Sequence, residues 1–356
     1  MGKLGFFIEE VTEKTTKNNQ YEVLTSSQNG IVSQEEYFNK QIASVDNTGY
    51  KIIRRGQFTY RSMSDTGRFY INRLINKEVG IVSPAYPVFK LVGNKIDPEY
   101  LELFFQSEAF QRQISDKSSG STRLALRFSK LENVEIDVPS IEIQRKIVDA
   151  VRAIKATVNK EDNELILCDE LIKSRFIELF DGKFPAESLY SVCEELFAGG
   201  DVKKDDLSEE KDDEHPYPIF TNGEANGGLY GYTSKARVFK EAVTVSGRGT
   251  IGYTSLRSEP FYPAVRLIVA VPNQKLIDAC YLKYFIQSKN YGGSGSSIPQ
   301  LTVPMIKNEL IPVPPMEKQL EFKTFIHEID KLKFNVQKRI EKYKELLNKK
   351  MDEYFN

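Results

Sequence analysis

The feature that most constrains this chain is an internal repeat at a constant offset of 175 residues. Ser119-Gly120-Ser121 recurs as Ser294-Gly295-Ser296, and Ile136-Asp137-Val138-Pro139 recurs as Ile311-Pro312-Val313-Pro314. Glu142 and Gln144 return as Glu317 and Gln319, Glu170-Leu171-Ile172 as Glu345-Leu346-Leu347, and Phe180 as Phe355. From 118–180 against 293–355 no gap is needed, and 15 of the 63 pairs are identical. The 356 residues therefore read as two copies of one unit, each ending in a helix.

Each copy has two parts. Residues 1–138 and 184–312 carry short β-prone runs, such as Val88 to Val92 and Ala242 to Val245, punctuated by Gly, Asn, Ser and Pro. Each holds one expected helix, Pro98 to Ile114 and Ile277 to Ser288, in which Tyr100-Leu101 and Phe104 match Tyr281-Leu282 and Phe285. After the Val-Pro pair the period changes. Ile147, Val151, Ile154, Val158, Leu165, Cys168, Ile172, Phe176 and Leu179 lie mostly three and four apart. Their counterparts are Phe322, Ile326, Ile329, Lys333, Ile340, Tyr343, Leu347, Met351 and Tyr354, with Glu161 and Lys333 as interruptions. A stripe this narrow buries itself against one partner helix, and the other copy supplies it.

The expected fold is α+β (mixed α/β): two pseudo-repeated globules separated by two long helices that form an antiparallel intramolecular coiled coil. The boundaries are read as globule 1–139, helix 140–182, globule 183–314 and helix 315–356.

Net charge is −1, but residues 40–130 hold 15 Lys and Arg against 8 acids, and residues 215–307 hold 10 against 4. Phosphate binding depends on local patches, so each globule can attract nucleic acid although the whole is neutral. The acidic stretch 201–214, with 8 acids against 3 bases, reads as a disordered surface loop. Cys168, Cys193 and Cys280 are odd in number and scattered, as in reduced cytoplasmic thiols. No apolar run has the length of a membrane helix.

Catalytic signatures are missing. His215 and His327, the two histidines, have no neighbours at metal-ligand spacing, and no phosphate-binding GxxxxGK[ST] loop occurs. Gly247-Arg248-Gly249-Thr250-Ile251-Gly252 spells GxGxxG, yet β-prone residues follow where a dinucleotide site needs a helix. It reads as a tight turn presenting Arg248.

In the Gly-Ser loops, Val-Pro strands, Glu-x-Gln helix starts and long helices, each present twice in the same order, the chain resembles the specificity (S) subunits of type I restriction-modification enzymes. One departure is Arg123 of the first loop, which is Ile298 in the second. The resemblance implies a non-catalytic subunit in which each globule is a target recognition domain reading one half of a bipartite double-stranded DNA site. It implies that the helices set the spacing and dock methyltransferase (M) subunits, two in number, with restriction/translocase (R) subunits alongside. No cofactor is expected on this chain; S-adenosylmethionine, ATP and magnesium belong to those partners. The alternatives are the recognition subunit of a related bipartite type II-like system, or a two-module protein scaffold that never touches DNA.

Basic and small polar residues in the Gly/Ser-rich stretches are the DNA-contact candidates, since Arg pairs with guanine or phosphate and Ser, Thr and Gln suit either. In the first globule these are Arg61, Ser62, Ser64 and Arg68, with Ser119, Ser121, Thr122, Arg123 and Arg127. In the second they are Ser246, Arg248 and Thr250, with Ser294, Ser296, Ser297 and Gln300. Arg61 and Arg248 rank first, because each follows a β-run at comparable depth in its copy.

Overall fold

The computed structural model describes residues 1–37, 46–115, 124–289, 291 and 300–356. The chain divides into two compact units, Met1–Glu161 with Lys338–Asn356, and Asp162–Gln337. Each unit combines one globule with a segment of both long helices.

In the first unit, β1 (Gly2–Lys3) and β2 (Ile8–Glu10) lead to a hairpin of β3 (Leu24–Ser27) and β4 (Gly30–Ser33), then to α1 (Gln34–Tyr37). There follow β5 (Lys51–Arg54), β6 (Phe58–Tyr60), β7 (Met63–Ser64), β8 (Ile71–Arg73), β9 (Val79–Val82) and β10 (Val88–Leu91). The central sheet runs β2-β10-β6-β8, antiparallel throughout. Its inner face is aromatic: Phe58 stacks on Phe89 at 5.2 Å, and Phe105 meets both edge-on at 6.2 Å. Such pairs add about 0.5–1.5 kcal/mol each beyond area burial.

Where one helix is expected from Pro98 to Ile114, two form: α2 (Pro98–Gln106) and α3 (Glu108–Ile114). Ser107 leaves the helical region (φ −71°, ψ 152°), and its Oγ accepts from the Phe110 amide, capping α3. Serine competes for backbone partners in this way, so it breaks a helix that the apolar spacing alone would continue. The unit closes with β11 (Leu124–Ala125), α4 (Phe128–Leu131) and β12 (Glu135–Ile136), which pairs antiparallel with β1.

Helix α5 (Ile141–Phe180) begins at Ser140, whose carbonyl takes the Gln144 amide, and Glu142 complements the dipole in the first turn. It stops at Gly182, which sits at φ +64°, the left-handed conformation that commonly ends a helix.

The second unit repeats this plan. β13 (Ala186–Ser188), α6 (Leu189–Val192), β14 (Cys193–Ala198), β15 (Tyr217–Phe220), β16 (Leu229–Thr233), β17 (Ala242–Val245), β18 (Thr254–Arg257), β19 (Tyr262–Pro263) and β20 (Ile268–Pro272) precede α7 (Ala279–Ser288). Then come α8 (Val303–Ile306), β21 (Leu310–Pro312) and α9 (Met316–Phe355). Its sheet, β14-β20-β17-β18, has the same chain order and antiparallel sense as the first. β13 pairs with β21 as β1 pairs with β12.

The acidic stretch is ordered, contrary to the sequence expectation. Asp206 accepts from the Thr233 hydroxyl at 2.8 Å and from the Ser234 amide and hydroxyl at 3.0 Å, and Ser208 bridges to Tyr232. These bonds hold Asp206 below the usual carboxylate range, the Thr233 hydroxyl contributing most.

The seam residues are buried or half-buried as the heptads predict. In the first unit Ile147, Val148 and Val151 share a core with Leu347, Met351, Tyr354 and Phe355. In the second, Cys168 and Ile172 pack with Phe322, Ile326 and Ile329. Ile154 and Leu165 are half-buried, while Val158 and Ile340 are buried. Partners lie antiparallel: the residue numbers of each pair add to within two of 500, for Glu161 with Arg339 inside the first unit and for Asp169 with Lys333 and Phe176 with Phe322 inside the second. The two heptad interruptions are thus ion-paired, at 2.7 Å each. Val336, the counterpart of Glu161, is fully buried and was missed by the stripe.

One buried glutamine fastens each globule to its long helix. Gln144 Oε1 accepts from the Asp97 amide at 2.7 Å, and its Nε2 donates to the carbonyls of Lys95 and Pro139. Gln319 repeats all three contacts, with the Asp278 amide and the carbonyls of Leu276 and Pro314. Both side chains are 0% exposed. Asp97 and Asp278 cap α2 and α7, and Tyr100 and Tyr281 donate to the carbonyls of Asp137 and Pro312. The Glu-x-Gln signature is therefore a joint between globule and helix.

Candidate nucleic-acid interface

In the first unit the chain leaves β6 at Arg61 and returns along β11. Leu124 and Ala125 pair with Ser64 and Met63, and the Leu126 amide donates to the Ser62 carbonyl at 2.9 Å. This pairing brings Arg61 and Arg127 to one place, because each is next to a partner in that bond. Arg61 and Arg127 are exposed, Ser62 and Ser64 half-buried. The Ser64 hydroxyl donates to the Arg68 carbonyl at 2.7 Å, and Arg68 itself is paired with Glu108 at 2.6 Å. Arg61, Ser64, Arg68 and Tyr70, with Ser26 and Ser27 of the β3–β4 hairpin, line a concavity of about 240 Å³. Ser119, Ser121, Thr122 and Arg123 lie outside the described residues.

In the second unit the GxGxxG stretch is the hairpin turn between β17 and β18, as the absence of a following helix predicted. The Leu301 amide donates to the Gly247 carbonyl at 2.8 Å, the same contact that Leu126 makes with Ser62. Arg248 and Thr250 are exposed at the tip, and Arg248 donates to Gln300 Oε1 at 3.2 Å. Ser246 is a correction: it is 1% exposed, and its Oγ accepts from the Gly223 amide at 3.0 Å, so it is buried in holding the loop and is not a surface side chain. Ser294, Ser296 and Ser297 lie outside the described residues.

A residue that sequence reasoning passed over joins this group. Arg266 lies in the turn from β19 to β20, closed by the Leu267 amide on the Ala264 carbonyl at 3.1 Å. Its φ is +69°; among the described residues the other non-glycine positions with positive φ are Asn19 and Asn226, both asparagines. Asparagine tolerates this region, whereas for arginine it costs roughly 1–2 kcal/mol. Asn222 braces the turn, donating to the Val265 carbonyl at 3.1 Å and accepting from the Gly247 amide at 2.7 Å. Gly247 is required there, since a Cβ would meet the carbonyl oxygens of Leu301 and Arg266 at 2.7 and 2.8 Å. In the sequence Val265 to Val271 reads as one β-run, and nothing in it signals a left-handed turn.

Ion pairing thins the arginines without isolating these residues, since Arg112, Arg145 and Arg237 also carry no ion pair among the described residues. Arg54, Arg55, Arg68, Arg73, Arg152, Arg175 and Arg339 each pair with a carboxylate. Arg257 is spent on the fold: it stacks at 3.6 Å on Phe220, donates to Thr244 and Gly227, and is lowered to about 10 by burial. Arg61 and Arg127 in one unit, and Arg248 and Arg266 in the other, have no ion pair among the described residues. Unneutralised arginines beside Gly/Ser turns offer planar forks to phosphate oxygens or guanine edges. Among the described residues no group of His, Cys, Asp and Glu is arranged to hold a metal ion, and no helix is long and apolar enough to cross a membrane.

Comparison with known proteins agrees with this duplicated geometry. The sequence profile of the type I restriction modification DNA specificity domain matches twice, over residues 8–167 and 189–345. A type I specificity subunit of Mycoplasma pneumoniae is 26% identical over 241 residues, covering 65% of this chain and 65% of the relative, just under two thirds of its length. A second from the same organism is 28% identical over 286 residues, covering 76% and 84%. Among solved structures, a chain from a type I restriction-modification system, studied for its complex assembly and conformational transition, superposes with a TM-score of 0.67 at 18% identity over 99% of this chain and 96% of its own. The S subunit of M. genitalium gives 0.51 at 13% identity, covering 99% and 95%. With two copies of the domain together spanning most of its length, the chain belongs to the type I restriction-modification DNA specificity domain family.

Proposed function

We propose that this chain is the DNA-reading subunit of a type I restriction-modification complex, a non-catalytic adaptor whose two globules each engage one half of a bipartite site. The observation that carries the reading is the repeated one: in both units an exposed arginine with no carboxylate partner among the described residues stands beside a carbonyl that takes a leucine amide, Arg61 at Ser62 with Leu126 and Arg248 at Gly247 with Leu301. A duplicated protein meeting two half-sites of a duplex needs the same surface twice. On this reading α5 and α9 fix the half-site separation and dock two methyltransferase subunits, which supply S-adenosylmethionine chemistry. Restriction subunits supply ATP- and magnesium-dependent translocation and cleavage.

The test is DNA binding by the chain assembled with its methyltransferase subunits, measured against salt. A phosphate-contacting reader shows log K falling steeply and linearly with log salt, by close to one unit of slope per phosphate neutralised. A flat response favours a protein scaffold. Methyl transfer to DNA by the purified chain alone, given labelled S-adenosylmethionine, would overturn the adaptor role.

A further inference from the structure

We infer that Arg266 is a specificity-determining residue of the second unit, its guanidinium taking the edge of a guanine in the half-site that this unit engages. The inference rests on the DNA-reading role proposed above and names a residue through which that role is exercised.

Three segments converge to hold the backbone of this one turn. Asn222 bonds the Val265 carbonyl and the Gly247 amide at once, Gly247 leaves room for the Arg266 carbonyl, and Leu301 closes on Gly247 from the far side. The turn itself would be more comfortable with glycine at φ +69°, so the arginine is not there to build the backbone. Strain kept at a braced, exposed position is a mark of function. Arg266 is exposed and has no hydrogen-bond or ion-pair partner among the described residues, so its fork is free. Arg248 on the adjoining turn differs, since Gln300 already accepts from it. A rigid backbone carrying a free fork suits bidentate pairing with guanine N7 and O6, the commonest specific arginine contact in the major groove.

The experiment selects binding sites from randomised duplexes with the wild-type chain, Arg266→Gly and Arg266→Lys, each full length and assembled with methyltransferase subunits. Arg266→Gly is expected to raise the melting temperature, by relieving the left-handed strain. Discrimination at a single G·C pair in one half-site is expected to fall about 10- to 100-fold, with the other half-site unchanged. Arg266→Lys keeps the charge and loses the fork, so the same position relaxes. Unchanged motifs in both variants overturn the assignment, as does weakening spread evenly over all sequences, which marks a phosphate contact. A wild-type selection that enriches no motif sinks the DNA-reading role itself, a result distinct from failure of the Arg266 assignment.

Discussion

Replacing Gln319 by methionine isolates the joint between the second globule and α9. Methionine nearly matches glutamine in length and volume, so the change removes three hydrogen bonds while opening little space. The Asp278 amide and the carbonyls of Leu276 and Pro314 lose their partner, at contact distances of 2.7, 2.8 and 2.8 Å. An abandoned buried group costs about 1–3 kcal/mol. The bond to the Leu276 carbonyl is only part-buried, whereas that to Pro314 is buried, so the three groups do not each bear the full loss. Burying a thioether in place of an amide returns roughly 1 kcal/mol. The net expectation is about 2–4 kcal/mol, or a fall in melting temperature of roughly 5–15 °C for a unit of this size. Thermal unfolding followed by circular dichroism measures it, and hydrogen exchange should show the first turn of α7 losing protection. A melting temperature within about 1 °C of wild type would refute the reasoning. Gln144→Met should act alike on α2.

Gly199→Ala should destabilise by at least about 2 kcal/mol, because its Cβ would come 2.1 Å from the Ala264 carbonyl oxygen. The same clash displaces the turn bearing Arg266, so DNA affinity should fall as well; an unaltered melting temperature contradicts this. Arg61→Ala should weaken binding and reduce the salt slope by about one, or relax one base position of the other half-site. Identical affinity, slope and motif would exclude Arg61 from the interface. Burial pushes the thiols of Cys193 and Cys280 up to about 12 and about 11. Since the thiolate is the reactive form, both should alkylate with iodoacetamide at pH 8 at least about tenfold more slowly in native protein than in denaturant. Rapid labelling of the native chain would show the burial to be wrong.

The repeat, the two long helices and their seam were legible because apolar spacing and duplication leave a direct trace in sequence. Val336 escaped because its counterpart is Glu161, and a stripe copied by offset carries its own gaps. Ser107 escaped because apolar spacing runs through it while its hydroxyl caps the next helix. Order in residues 201–214 depends on Thr233 and Ser234, which no local composition reveals. At the candidate site Arg61 and Arg248 could be ranked from their place after a β-run. Ser246 could not be told from an exposed serine, since burial there is set by the Gly223 amide on another segment. Arg266 was invisible for a comparable reason: a left-handed turn braced by Asn222 is a tertiary fact.

The glutamine joint has a further consequence for how such a chain can vary. Among the described residues, every side-chain bond that Gln144 and Gln319 make goes to a main-chain amide or carbonyl, and none goes to a side chain. A connector that grips only backbone is blind to the residue types it grips. Any globule that presents a capped helix in that position can be clasped, whatever its loops contain. Selection can therefore rewrite the recognition surface freely while the attachment, and the helices beyond it, stay the same.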